Sequence, residues 1–103
     1  GQMAYRRSQR KGIDFDINVP YLIEVYAQQQ GRCAITNIPM ELTQSLDFLH
    51  HPLVPSIDRI DSKKGYVKSN VRLTLWIVNK AMDEWGEEYF ARIARAYVKL
   101  NPE

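Results

Sequence analysis

Residues 55–80, PSIDRIDSKKGYVKSNVRLTLWIVNK, constrain the fold of this chain more than any other segment. Apolar and polar residues alternate over residues 56–60, which is typical of a half-buried strand. Residues 61–69 are rich in Ser, Lys and Gly and predict a loop. A second alternating run at 71–75 predicts another strand, and a helix begins at Trp76. We therefore expect a strand–loop–strand–helix unit, with its core at about residues 55–83.

A helix is predicted before this unit. Asn18 is a typical N-cap residue, and Pro20 is tolerated in the first helical turn. Gly31 suits the position just past a helix end. These signals predict a helix at about residues 19–30. A short strand is expected at 32–36, followed by a long connection.

A last helix is predicted from about Glu87 to Leu100. Its apolar residues recur at helical spacing, and we expect this stripe to be part of the core. The stripe comprises Tyr89, Phe90, Ile93, Ala94, Tyr97 and Leu100. Packing roles are also expected for Trp76 and Trp85, and inward positions for Ile77, Val78 and Ala81.

A length of 103 residues predicts one domain, residues 1–103, of the α+β class. Cys33 is the only cysteine, so neither an intrachain disulfide nor a zinc site with paired thiolates can form. We expect no structural zinc and a reducing, cytoplasmic setting. No apolar run approaches the length of a membrane span, and no membrane partner is expected.

The net charge is only +2, but it is unevenly distributed. Residues 1–12 are basic and are expected to be partly mobile. The two basic clusters comprise Arg6, Arg7, Arg10 and Lys11 at the N-terminus and Lys63, Lys64 and Lys68 in the central loop. Such clusters fit a polyanionic partner, although a solvated surface explains the N-terminal run equally well.

Three polar residues occupy selected positions in the strand–loop–strand–helix unit. Asp58 on the first strand offers a hard anionic ligand, and Asn79 on the helix offers a carbonyl oxygen. Asn70 lies at the end of the loop, where an Asn side chain can bond backbone groups and hold the loop. A carboxylate and an amide that converge in this way can hold a divalent cation against a phosphate.

The sequence of this region resembles the HNH endonucleases, the ββα-metal group. Within that group it is similar to small phage and prophage proteins. The resemblance rests on the short segments GRCAIT, SIDRID, KGY, NVRL and VNKA. The segment EWGEEYF extends it into the last helix, so that it covers roughly residues 13–95. It implies a ββα-metal core between an N-terminal and a C-terminal helix. It also implies DNA cleavage with Mg²⁺, or Mn²⁺, bound by Asp58 and Asn79.

Arg59 departs from the family pattern, because it occupies the position of the general-base histidine. Arginine stays protonated and cannot serve as an ordinary base. The candidates for that role are Asp61, His50 and His51, and Arg59 itself is expected to contact the phosphate. Three functions remain open: a DNA endonuclease, a nucleic-acid-binding domain with a degenerate site, and a structural or protein-binding domain.

Overall fold

Three helices and two small two-stranded sheets form the described part of the chain, residues 15–42 and 51–103, in the computed structural model. This arrangement is α+β, as predicted. The strands are β1 (Phe15–Asp16), β2 (Pro55–Arg59), β3 (Tyr66–Val67) and β4 (Val71–Leu75). The helices are α1 (Val19–Gln28), α2 (Trp76–Met82) and α3 (Glu87–Leu100). Within these ranges no helix is long and apolar enough to cross a membrane.

Strands β2 and β4 pair in antiparallel register and confirm the two predicted strands. Ile57 lies opposite Leu73, and Asp58 lies opposite Arg72. Because side chains alternate between the faces of a strand, Ile57 and Leu73 share one face and Asp58 and Arg72 share the other. The first face contributes to the core with buried Leu73. Helix α2 follows β4 directly, so strand, strand and helix occur in the predicted order.

Helix α1 begins with the expected cap, but the left-handed residue just past its C-cap is Gln30, at φ +55°, and not the predicted Gly31. The Asn18 side chain accepts a hydrogen bond of 2.9 Å from the Tyr21 N–H. At the other end, the Gln30 N–H donates to the Ala27 carbonyl and the Gly31 N–H to the Tyr26 carbonyl, each at 3.0 Å. These two bonds form a Schellman cap, so the helix ends slightly before the predicted residue 30. Gly31 has φ +70°, and a Cβ there would lie 2.9 Å from Tyr26 Oη.

The main core lies between α1, the β2–β4 pair and α2. Its buried members are Val25, Cys33, Met40, Leu73, Leu75, Val78 and Met82. Cys33 is a small buried residue, as predicted. A smaller cluster of Ile17, Tyr66 and Val71 lies where β1 pairs with β3 in parallel.

The predicted burial of the α3 stripe is wrong for most of its members. The side chains that are more than half exposed are Tyr89, Ile93, Tyr97 and Leu100. Helix α3 contacts the core through the two remaining members of the stripe: Phe90 packs against the core, and Ala94 is half-buried. Trp85 is also exposed and contacts Tyr89 instead of the core.

Two local predictions also need correction. In α2, Val78 and Met82 face inward at a spacing of four, which leaves Ile77 and Ala81 exposed. The predicted strand at 32–36 is a turn with a single bridge between Arg32 and Pro39, because Asn37 adopts φ +62° and reverses the chain.

The central loop contains more structure than predicted. It includes β3 and a 3-10 turn at Lys68–Asn70. Several predicted features lie outside the described residues: the basic N-terminal segment with Arg6, Arg7, Arg10 and Lys11, and the candidate base His50.

Candidate functional site

Asn70 holds the central loop closed. It is buried, with 4% of its surface exposed. Its Oδ1 accepts a hydrogen bond of 2.9 Å from the Asp61 N–H, and its Nδ2 donates to the carbonyls of Asp61 at 3.0 Å and Gly65 at 2.9 Å. The amide therefore bonds loop backbone through both of its N–H groups and through one of the two acceptor lone pairs of its oxygen. The Asn70 side chain thus links backbone groups at the two ends of the loop, where the sequence predicts a loop-holding Asn.

Asn79 connects helix α2 to strand β2. Its Nδ2 donates to Ser56 Oγ at 2.7 Å and to the Ile57 carbonyl at 3.1 Å. The carbonyl can only accept, so the amide nitrogen must point toward the strand. Asn79 Oδ1 consequently points away from these partners and accepts no hydrogen bond from the described residues. Ser56 and Asp58 lie on the same face of β2, about 7 Å apart along the strand.

Asp58 is buried and forms an ion pair with Arg72. The Arg72 Nε donates to Asp58 Oδ2 at 2.7 Å, and Arg72 Nη1 lies 3.2 Å from Glu87 Oε1 at the start of α3. Asp58 Oδ1 has no hydrogen-bond partner within the described ranges. Arg72 therefore uses one oxygen of the carboxylate and leaves the other uncommitted.

Burial raises the pKa of the Asp58 carboxyl above its ordinary value. The hydrogen bond from Arg72 and its positive charge lower this pKa, and the nearby Glu87 carboxylate raises it. The desolvation of a side chain that is only 7% exposed outweighs the stabilisation by Arg72, which is itself 23% exposed and partly hydrated.

Arg59 lies on the opposite face of β2 from Asp58 and borders a cleft of about 290 Å³. Its guanidinium lies 5.1 Å from the centroid of the Tyr66 ring and donates to the Lys64 carbonyl at 3.3 Å. Asn79 and Lys80 line the same cleft from α2, whereas Asp58 does not line it. The cleft is also bordered by Ser62, Asp83 and Glu84, so its charge is mixed.

The other predicted site residues are used locally. Asp61 Oδ1 accepts a bond of 2.9 Å from the Lys63 N–H and so shapes the loop. His51 Nδ1 accepts from the Leu53 N–H at 3.1 Å, and its Nε2 lies 3.6 Å from Glu41. Neither residue lines the cleft.

The loop lysines present their side chains on the surface. Lys63, Lys64 and Lys68 are all exposed. Lys68 lies 5.8 Å from the centroid of the Tyr21 ring, and its carbonyl accepts a hydrogen bond from the Tyr21 hydroxyl. The contact with Tyr21 anchors this end of the loop to α1.

Sequence reasoning did not identify Ser56, Arg72 or Glu87. Ser56 lies two residues before Asp58 and so shares its face of β2. Arg72 follows only from the strand register, because it is directly opposite Asp58. That register requires the exact length of an irregular loop, which the sequence pattern does not provide. Glu87 lies near Arg72 because the turn between α2 and α3 brings the start of α3 back toward the strands.

The donor set for a metal ion is small. Among residues 15–42 and 51–103, no group of three or more His, Cys, Asp and Glu side chains could hold a metal. Asp58 Oδ1 and Asn79 Oδ1 are hard oxygen donors that accept no hydrogen bond from the described residues. Oxygen donors of this kind suit Mg²⁺, which keeps several waters and takes one or two protein ligands, better than zinc, which prefers nitrogen and sulfur ligands. Asn79 borders the cleft, and Asp58 does not.

The chain matches no family model, and no curated protein or solved structure matches it significantly.

Proposed function

We propose that this chain is a metal-dependent DNA endonuclease of the HNH type, with a ββα-metal core formed by β2, β4 and α2. The observation that carries this proposal is the link between Asn79 and β2. Asn79 donates to Ser56 and Ile57, the two residues before Asp58 on the strand, and no described residue donates to its Oδ1. A helix amide bonded to the strand that carries the carboxylate is the arrangement that the resemblance implies.

The loop between β2 and β4 supports the same proposal. Asn70 fixes this loop by three hydrogen bonds to its backbone. The fixed loop presents Lys63 and Lys64, and Arg59 lies beside it in the cleft. Phosphate groups are bound by such cations, which orient a duplex without reading its sequence.

The residues of the candidate site would divide metal binding, phosphate binding and loop positioning among them. Asp58 and Asn79 would hold Mg²⁺ or Mn²⁺, which when bound polarises the phosphate and stabilises the leaving oxygen. Arg59 offers its guanidinium to the phosphate or to the charge of the transition state. Asn70 keeps the loop, and with it Arg59 and the lysines, in position. The general base stays open among Asp61, His50 and His51.

A second candidate function is DNA binding without cleavage. Two observations favour it. Arg72 is hydrogen-bonded to one oxygen of Asp58, and Arg59 occupies the position to which the resemblance assigns a general base. A domain of this kind would keep the basic surface and bind DNA in a salt-dependent manner. A structural or protein-binding domain would bind no DNA at all.

Nicking of supercoiled plasmid tests the proposal. The wild-type protein, Asp58→Ala and Asp16→Ala are compared in Mg²⁺, Mn²⁺ and EDTA. Asp16 is an exposed aspartate on β1 and serves as the matched control. Nicking that requires metal, is lost in Asp58→Ala and persists in Asp16→Ala supports the endonuclease.

A folded wild-type protein that fails to nick with either ion contradicts the proposal. A salt-dependent gel shift would then separate the DNA-binding domain from the structural one. Arg59→His is the informative next variant, because it supplies a base at the position that the resemblance assigns to one.

A further inference from the structure

The cleft of about 290 Å³ is bordered by two groups of residues from different parts of the chain. The strand group lies on β2, β3 and the loop between them, and it includes Arg59 and Tyr66. The helix group lies on α2 and the turn that follows it, and it includes Trp76, Lys80, Asp83 and Glu84. The proposed function uses Arg59 and leaves these four residues of the helix group without a role.

Trp76 offers an aromatic surface to the cleft. Two aromatic residues border the cleft, but Tyr66 is only 1% exposed, whereas Trp76 is half-buried. The ammonium of Lys80, one helical turn further on, lies 5.6 Å from the centroid of the Trp76 ring, and Lys80 is exposed. A cation at an exposed site is held weakly by a ring, so a flat ligand can replace it. Nucleic-acid bases stack on aromatic rings presented in this way.

The charges at the cleft differ between the two groups. Among the described residues that border the cleft, Arg59 is the only charged member of the strand group, whereas the helix group combines Lys80 with the carboxylates of Asp83 and Glu84. A phosphate is therefore favoured beside Arg59 and disfavoured beside the carboxylates. The carboxylates can instead accept hydrogen bonds from the amino groups of adenine, cytosine and guanine.

A single nucleotide complements both groups. Its phosphate can contact Arg59 while its base stacks on Trp76 with its hydrogen-bonding edge toward the carboxylates. A volume of about 290 Å³ is at the lower end of the range for ligand sites and suits one nucleotide. The base must be unpaired, because in a duplex its edge is bonded to the opposite strand and its faces are covered by the neighbouring bases.

We propose that the cleft binds one unpaired nucleotide of a nucleic-acid strand, with the base stacked on Trp76 and the phosphate at Arg59. This inference rests on the proposed function for the kind of ligand, and it narrows the substrate class. The preferred ligand is a single strand, or a site at which a base lies outside the double helix, ahead of an intact duplex.

Tryptophan fluorescence in EDTA tests this contact without any cleavage. The chain has two tryptophans, so Trp85→Leu leaves Trp76 as the only one. In this variant a single-stranded DNA of about ten nucleotides should quench the emission and bind about tenfold more tightly than a blunt duplex of the same length. Tighter binding of the duplex would overturn the proposal, and so would single-strand binding that leaves the emission unchanged.

Variants of Trp76 separate stacking from a structural role. In anisotropy titrations with labelled single-stranded DNA, Trp76→Leu should weaken binding about tenfold, because it removes the stacking surface. Trp76→Tyr retains an aromatic ring and should stay within about threefold of the wild type. Trp85→Leu is the matched control, since Trp85 is 68% exposed and does not border the cleft. Equal losses in Trp76→Leu and Trp76→Tyr, or in Trp76→Leu and Trp85→Leu, would overturn the stacking contact.

Deoxycytidine monophosphate distinguishes a strand from a free nucleotide. It makes one set of contacts and should bind much more weakly than the single-stranded DNA, and equal affinity would overturn the strand as the ligand. These measurements need no metal, so their failure can be told apart from failure of the nuclease proposal. Single-strand binding without nicking contradicts the nuclease alone, whereas nicking without a preference for unpaired bases contradicts this inference alone.

Discussion

Arg72 donates to Asp58 across the β2–β4 pair, with its Nε 2.7 Å from Oδ2 of the carboxylate. The two residues are direct cross-strand partners, so the strand register itself creates the ion pair. The same guanidinium reaches Glu87 on α3. Arg72 thus connects the strand pair to the last helix and also determines which oxygen of Asp58 is available to a cation.

Replacement of Arg72 should destabilise the fold. Arg72→Gln leaves the buried Asp58 carboxylate without its charge partner, which we expect to cost about 1–3 kcal/mol in the free energy of unfolding at pH 7. Urea unfolding measures this loss. Arg95→Gln, at an exposed position on α3, is the control and should change stability by less than about 0.5 kcal/mol.

The same variant distinguishes two roles of Arg72. If Arg72 competes with a cation for Asp58, Arg72→Gln should increase the rise in melting temperature that 5–10 mM Mg²⁺ produces, roughly twofold, relative to the metal-free variant. A smaller rise than in the wild type would mean that Arg72 orients the carboxylate for the metal instead.

The pH dependence of stability should reveal the raised pKa of Asp58. Because burial raises this pKa, the folded state retains a proton that the unfolded state has already lost. Stability from this group is therefore complete below the unfolded pKa of about 3.9 and decreases as the pH rises through the folded pKa.

Asp58→Asn removes this titration. The melting temperature of the wild type minus that of Asp58→Asn should therefore fall between pH 3.5 and pH 7. A difference that instead increases over this range would show that Arg72 outweighs burial and holds the pKa below its ordinary value.

Loss of the Asn70 side chain should loosen the central loop. Asn70→Ala removes three hydrogen bonds and leaves backbone groups of Asp61 and Gly65 without partners. We expect a loss of about 2–4 kcal/mol in the free energy of unfolding. Amide hydrogen exchange should accelerate at Asp61, whose N–H loses its acceptor.

Asn101→Ala is the control for that experiment, since Asn101 is an exposed asparagine that makes one side-chain bond, to the Tyr97 carbonyl. It should cost less than about 1 kcal/mol. Equal losses in the two variants would contradict the assigned role of Asn70.

Features of the fold that depend on local sequence were predictable, and features that depend on contacts between distant residues were not. Strands β2 and β4 and helix α2 were predictable because alternation and helical period are local properties. The position of Asn70 at the loop end was also local, so its role followed from the known chemistry of Asn in turns. The Asp58–Arg72 pair required the strand register, which only the folded loop determines.

The burial of the stripe on α3 could not be predicted from the sequence. Helical period correctly indicated that Tyr89, Ile93 and Tyr97 share one face, but it cannot indicate what covers that face. In the structure Phe90, at one edge of the stripe, packs against the core, and Tyr89, Ile93 and Tyr97 are left exposed. A buried helix face and an exposed one can therefore carry the same pattern in the sequence.

If the nuclease proposal holds, Ser56 should matter for activity, although the sequence did not single it out. Ser56→Ala removes the 2.7 Å hydrogen bond that helps to orient Asn79, while the bond to the Ile57 carbonyl remains. Residues that position metal ligands typically change metal affinity or activity by about 10–100-fold when replaced. Plasmid nicking at several Mg²⁺ concentrations should therefore show a higher metal requirement, with a nearly normal rate at saturation.

Ser69→Ala, at an exposed position of the 3-10 turn, is the matched control and should leave the metal requirement unchanged. An unchanged requirement in Ser56→Ala as well would mean that Asn79 is positioned without Ser56, or does not bind metal.

Thr74 offers a test of the interior beside the site. It is fully buried, and its hydroxyl has no hydrogen-bond partner in the described part of the chain. Val has nearly the same shape without the hydroxyl, so Thr74→Val removes an unsatisfied polar group without creating a cavity. The free energy of unfolding should rise by about 1 kcal/mol. Thr36→Val should show the opposite sign, because Thr36 Oγ1 accepts from the Ile38 N–H at 3.3 Å. A destabilised Thr74→Val would show that the hydroxyl has a partner in solution, such as a bound water.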